Sequence, residues 1–158
     1  MHPSQIPGWS ADQGVGTVRG IDPILHLSIP VRDLDEASRF YADVLGCGIG
    51  RANADFVDIW FFGMQVTLQN RPDRVTGLDR TGVHHFGVTL DRPAFDAAVA
   101  LVDEHGIPWL VEVATDAPGT ELEQTKAKLA DPSGNVIELK TYPDMRAALS
   151  PPGSGSRG

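Results

Sequence analysis

The sequence predicts an α+β fold built from two strand–helix–three-strand modules, and three observations carry that prediction. An alternating apolar strand that runs into a capped helix occurs twice, at 25–45 and at 85–106. A turn glycine followed by a second alternating strand also occurs twice, at 63–69 and at 134–141. The 158 residues, 41% hydrophobic and 22% charged, suit one ordinary globular domain or two small repeats sharing a core.

In the first module Leu25, Leu27, Ile29 and Val31 alternate with His26, Ser28 and Pro30, the period of a strand with one face on a core. Asp33 is placed to cap a helix, with Glu36 three residues on. Leu34, Ala37, Phe40, Tyr41, Val44 and Leu45 form its apolar stripe, and Gly46 and Gly48 end it. Strands are expected near 49–53, 55–61 and 64–69, with Gly63 turning between the last two. In the second module Phe86, Val88 and Leu90 alternate with His85, Gly87 and Thr89. Asp91 then caps a helix carrying Phe95, Ala98, Val99 and Val102, closed by Gly106. Strands follow near 107–113, 124–130 and 135–141, the last two joined by the turn Asp131-Pro132-Ser133-Gly134. The modules span 22–70 and 82–142 within a domain of 22–145. The breaker-rich stretch 1–21 reads as a flexible arm, and 146–158 as a flexible tail.

The repeat places His26 over His85 and Gly63 over Gly134. One helix covers only one face of each module, so the second face has to close on the other module or on another chain. Exposed strand edges point to a homodimer. With 13 Lys+Arg against 21 Asp+Glu the formal net charge is −8, which leaves no basic footprint for nucleic acid. No apolar run approaches the roughly 20 residues that span a bilayer. The opening residues lack the basic-then-apolar order of a secretion signal, and a single cysteine, Cys47, suits a reducing compartment. A cytoplasmic domain with no membrane partner is the expectation.

Face assignment selects the candidate chemistry. The apolar residues of each strand face the helix, so His26, His85 and Glu138 share the open, concave side. Two imidazoles and one carboxylate form a facial triad suited to Fe(II) and compatible with Mn(II), Co(II), Ni(II) or Zn(II). Three ligands leave positions open for a bidentate oxygen substrate, water or O₂. The plain alternative is that strand histidines are ordinary polar surface residues.

The stretch from Ile24 to Gly46, with its pattern His26-Leu-Ser-Ile-Pro-Val-Arg-Asp, resembles the opening of the vicinal oxygen chelate superfamily. That superfamily includes glyoxalase I, bleomycin-resistance proteins, methylmalonyl-CoA epimerase and extradiol dioxygenases. Val83-His-His-Phe-Gly-Val-Thr-Leu and Asp131-Pro-Ser-Gly-Asn-Val-Ile-Glu-Leu are similar to its second-half strand and closing turn. The resemblance implies paired βαβββ modules forming a cup-shaped mixed sheet, helices on the convex face, around a divalent metal held by His26, His85 and Glu138. The fourth ligand often found in the family falls on Thr67, a poor metal ligand, with Gln65 and Gln69 on the same face as amide substitutes. Three ligands without a second carboxylate match the iron-dependent dioxygenases, whereas bleomycin-type binding proteins usually lack the ligands.

Other residues are secondary candidates. His84, on the opposite face from His85 by alternation, and Tyr142 are acid/base candidates. Thr67, Lys126 and Lys128 are substrate-binding candidates; lysines inside the cup would hold an anionic group or a developing enolate, and on a hairpin edge they would only aid solubility. Trp60, Phe61, Phe62 and Trp109 read as core or interface, and Cys47 as an inert packed thiol. Three functions are carried forward. The first is an Fe(II) extradiol-type dioxygenase acting on a small substrate that chelates through vicinal oxygens, such as a catechol, α-hydroxy acid or α-keto acid. The second is a non-oxidative isomerase, epimerase or lyase using Zn, Co, Ni or Mn. The third is a resistance or carrier protein that binds a small molecule without turnover.

Overall fold

In the computed structural model, which describes residues 24–81 and 83–149, two four-stranded sheets repeat one topology. The arm at 1–21 and residues 150–158 lie outside the described residues. The first sheet contains β1 (His26–Val31), β2 (Gly48–Ala52), β3 (Phe56–Phe61) and β4 (Met64–Asn70) in the order β1-β4-β3-β2. The second contains β5 (Phe86–Thr89), β6 (Trp109–Asp116), β7 (Gln124–Ala130) and β8 (Val136–Thr141) in the order β5-β8-β7-β6. In each sheet the first strand pairs in parallel with the last, and the other pairings are antiparallel.

The crossover in each module is a capped helix. Helix α1 (Leu34–Arg39) begins where Asp33 accepts a hydrogen bond from the Glu36 N–H at 2.8 Å, and a π-helical turn (Phe40–Val44) continues it. A short helix α2 (Leu78–Thr81) lies between the modules. Helix α3 (Arg92–Glu104) begins where Asp91 accepts from the Ala94 N–H at 2.9 Å. A last helix, α4 (Met145–Leu149), follows β8 within the stretch that the sequence reads as tail. The repeat extends to turn geometry: Gly46 and Gly106 close the two crossover helices at φ +67° and +64°, and Gly63 and Gly134 turn the two final hairpins at φ +88° and +90°. Among the described residues no helix is long and apolar enough to cross a membrane.

Alternation sorts the faces as the sequence predicts from Leu27 onward; Leu25, read as helix-facing, precedes β1 and is 76% exposed. Val31, Ile59, Val66, Leu68, Leu129, Ile137 and Leu139 are fully buried on the helix side, together with Phe61, Phe95 and Val102. The modules meet through this core and through a few specific bonds. Phe61 packs edge-on against Phe86 with centroids 5.3 Å apart. Tyr41 of the first module donates to Asp131 Oδ2 at 3.0 Å, and Asn135 Nδ2 donates to the Pro30 carbonyl at 3.0 Å. The Arg32 N–H donates to Ser133 Oγ at 2.9 Å, and its guanidinium donates to the Pro132 carbonyl. The β7–β8 turn read from the sequence thus also fastens one module to the other. Edge strands β2 and β6 are exposed along most of their length, including Ile49, Leu110, Val111 and Val113.

Candidate metal centre

In the second module the residue just before β5, His85, is brought to Glu138 on β8. Gly87 lies opposite Glu138 in the parallel pairing, and a Cβ at Gly87 would run into the Glu138 carbonyl, so only glycine allows the strands this approach. His85 Nδ1 lies 2.7 Å from the Val83 carbonyl oxygen. A carbonyl only accepts, so Nδ1 carries the proton and Nε2 presents its lone pair when the ring is neutral. Nε2 stands 3.5 Å from Glu138 Oε2. A nitrogen lone pair and a carboxylate oxygen facing at that distance suit a cation between them, and the Val83 carbonyl is the outer partner that metal-bound imidazoles use.

Glu138 is nearly buried, at 9% exposure, and two ammonium groups flank it: Lys140 Nζ is 3.2 Å from Oε2 and Lys128 Nζ is 3.6 Å from Oε1. Burial works to raise the Glu138 carboxyl, but the Lys140 hydrogen bond and the charges of Lys140, Lys128 and His85 outweigh it and hold the group below the usual range. Glu138 is therefore an ionised carboxylate on the open face. Lys126, on the same strand as Lys128, is engaged by Asp116 at 2.6 Å.

The first module repeats this framework with other chemistry. His26 lies opposite Gln65, and Ser28 opposite Thr67, as Gly87 lies opposite Glu138. Thr67 therefore takes the place of Glu138. A carboxylate is present one strand away: Asp58 on β3 faces Thr67 in register and is 2% exposed. Thr67 Oγ1 donates to Asp58 Oδ1 at 2.6 Å, while Arg51 donates to Oδ2 at 2.8 Å and Gln65 Nε2 to Oδ2 at 3.4 Å. The Thr67 hydrogen bond, opposed by burial and helped by Arg51, holds the Asp58 carboxyl below its ordinary range. Asp58 was not among the predicted site residues. Its alternation with Val57, Ile59 and Phe61 marks it as open-faced, but its pairing with Thr67 needs the β3–β4 register.

Of the predicted ligands, the fold brings His85 and Glu138 together, while His26 stands exposed on the other sheet. Among the described residues no three His, Cys, Asp or Glu side chains gather to hold a metal. The sheets meet by core packing and turn contacts, without hydrogen bonds between β1 and β5. His84 and His85 both line one opening of about 510 Å³, with Leu27, Ile29 and Pro30. Tyr142 lines a different pocket, with Thr120, Glu123 and Asp144. Gln69 donates to Ser28 Oγ at 2.5 Å, which leaves Gln65 as the amide beside His26. Cys47 is buried and its thiol is pushed up to about 12 by burial, as an inert packed residue should be. Phe61 is core, whereas Trp60 and Phe62 remain 43% and 40% exposed.

Comparison with known proteins bears on this arrangement. The family model for the Glyoxalase/Bleomycin resistance protein/Dioxygenase superfamily matches residues 23–139. A crystal structure of a glyoxalase/bleomycin resistance protein/dioxygenase from Alicyclobacillus acidocaldarius shares 36% identity, covers 82% of this chain and 98% of its own, and superposes with a TM-score of 0.74. The fosfomycin resistance protein FosX from Listeria monocytogenes shares the fold at 12% identity, with coverage of 82% and 99% and a TM-score of 0.64. A lactoylglutathione lyase from Agrobacterium tumefaciens does so at 15% identity, with coverage of 78% and 96% and a TM-score of 0.55. No curated protein sequence matches the chain.

Proposed function

Because the chain belongs to the glyoxalase/bleomycin resistance protein/dioxygenase superfamily, we propose that it is a divalent-metal-dependent enzyme whose ligands are His26, His85 and Glu138. The observation that carries this reading is the His85–Glu138 pair: the imidazole Nε2 and an ionised, nearly buried carboxylate face each other at 3.5 Å. His26 comes from the first sheet of a second copy laid over the second sheet of the first. The exposed β2 and β6 edges and the exposure of His26 itself support that homodimer.

His26, His85 and Glu138 would hold a divalent metal, Fe(II) in the leading reading, which would supply Lewis acidity to lower the pKa of a substrate hydroxyl. The protein's own residues supply the rest. Glu138 and His85 would fix the position of a cation, and the Val83 carbonyl accepts from His85 Nδ1, which directs Nε2 toward Glu138. Lys128 and Lys140 supply positive charge beside it. Thr67 at the place of Glu138 leaves three protein ligands, the set that fits an O₂-dependent extradiol-type cleavage. The second reading, a glyoxalase-like isomerase or lyase, is favoured by one observation: Gln65 lies directly opposite His26, where its amide oxygen would be a fourth ligand.

The test is metal analysis of protein purified without chelator, followed by oxygen uptake with anaerobically loaded iron against catechols, α-hydroxy acids and α-keto acids. One iron per chain with oxygen consumption is the expected outcome. Metal-dependent turnover without oxygen consumption moves the assignment to the isomerase or lyase. Ligand binding that survives chelation and His85→Ala leaves a carrier.

A further inference from the structure

Two ammonium groups share one carboxylate on the open face of the second sheet, and they share it unequally. Lys140 Nζ lies 3.2 Å from Glu138 Oε2, within hydrogen-bond reach, and His85 Nε2 faces that same oxygen at 3.5 Å. Lys128 Nζ stands farther off, 3.6 Å from the other oxygen, Oε1. A third lysine, Lys126, lies opposite Lys140 in the β7–β8 pairing but reaches Asp116 at 2.6 Å instead. The oxygen that a cation between His85 and Glu138 would use is therefore the one that Lys140 already caps. Glu138 is nearly buried, so this ammonium replaces solvent that the carboxylate lost on folding. The Lys140 side chain keeps 25% of its own surface exposed, on a flexible four-carbon stem that can carry the ammonium outward.

We infer that Lys140 is a place-holding cation: its ammonium caps Glu138 Oε2 and must leave that oxygen before a divalent ion is seated against His85 Nε2. This rests on the metal-site reading above and adds a built-in competitor to it. Two cations on one carboxylate oxygen repel each other, and in a half-buried site water screens that repulsion only in part. Metal affinity is then a difference between two occupants of Glu138, and the strength of the ligands alone does not set it. The cap has a use before a metal arrives, because it holds the carboxylate charged and in position at the histidine. Lys128 adds a weaker share of the same repulsion, since its nearest oxygen is not the one that faces His85.

Equilibrium dialysis of Zn(II) and Mn(II) against the full chain tests this without turnover. Lys140→Met should tighten both metals about tenfold, and Lys140→Arg, which keeps the charge, should stay within about twofold of wild type. Lys128→Met should tighten them by a smaller factor, about threefold. Lys126→Met removes an equal charge from the same face without touching Glu138, and should change them by less than about twofold. Lys140→Gln, which should also tighten them, covers the case in which the methionine variant does not fold. Amine acetylation read by mass spectrometry follows the displacement itself: saturating Zn(II) should raise labelling of Lys140 in the wild-type chain and leave Lys126 unchanged. Metal binding that is unchanged or weaker in the neutral Lys140 variants overturns the inference, as does equal tightening by Lys126→Met or Lys140 labelling that ignores Zn(II). Metal binding that is insensitive to His85→Ala and Glu138→Gln removes the metal-site reading instead, so the two failures are distinguishable.

Discussion

Set side by side, the two modules share a backbone and divide the chemistry. Both begin with a histidine, at His26 and His85; both pair the first strand in parallel with the last, and both turn their final hairpin on a positive-φ glycine. At matched positions the first module has Thr67 and Asp58 where the second has Glu138 and Lys128. The carboxylate has in effect moved one strand over, and a cation stands where the other module has an anion. Register is set by the apolar residues on the helix side and tolerates this exchange, because the open face contributes little to the core. The repeated scaffold thus carries His85, Glu138 and Lys128 on one open face and Thr67, Asp58 and Arg51 on the other.

The largest expected effect comes from removing the feature found only in the second module. His85→Ala and Glu138→Gln should each weaken metal binding by more than about 100-fold, beyond the range seen for outer partners of metal ligands; equilibrium dialysis checks this. Next is the strand approach. Gly87→Ala should cost about 3 kcal/mol or more of stability, since its Cβ meets the Glu138 carbonyl, while Ser28→Ala at the matched position should stay within about 1 kcal/mol. Urea melts of the two variants measure that contrast. Tyr41→Phe removes the buried tie to Asp131 and should cost about 1 kcal/mol, because Asn135 still donates to Asp131 Oδ2 at 2.8 Å.

The smallest effect is a pH dependence. Asp58 is held below its ordinary range in the folded chain, so its contribution to stability is present above about pH 4 and is lost as pH falls through its folded value. Asp58→Asn should flatten that acid limb of the stability curve; an unchanged limb would place the acid sensitivity elsewhere. Asp131 has the opposite sign. Burial raises it, against its bonds from Asn135, Tyr41 and Ser133, so any stability it adds is present at low pH and lost as pH rises through its folded value.

Alternation and turn chemistry made most of the fold legible. Period-two apolar runs placed the strands within a few residues, and Asp33 and Asp91 announced both crossover helices. Glu138 and His85 were readable because the face argument needs only one strand at a time. Asp58 was not, since its meaning lies in a cross-strand pair with Thr67, and pairing register is a property of two segments. The partner of His26 was also beyond reach, because nothing local in a sequence states whether two modules close on each other or on a second copy.

A mixing experiment addresses that last point directly. His26→Ala and Glu138→Gln chains, each unable to bind metal alone, are unfolded, combined in equal amounts and refolded, and bound metal is counted by equilibrium dialysis. If His26 of one copy completes the His85–Glu138 pair of the other, half of the dimers are mixed and each regains one intact site, restoring about one quarter of wild-type binding. Recovery of no binding at all, with dimers formed, would contradict a centre shared between chains.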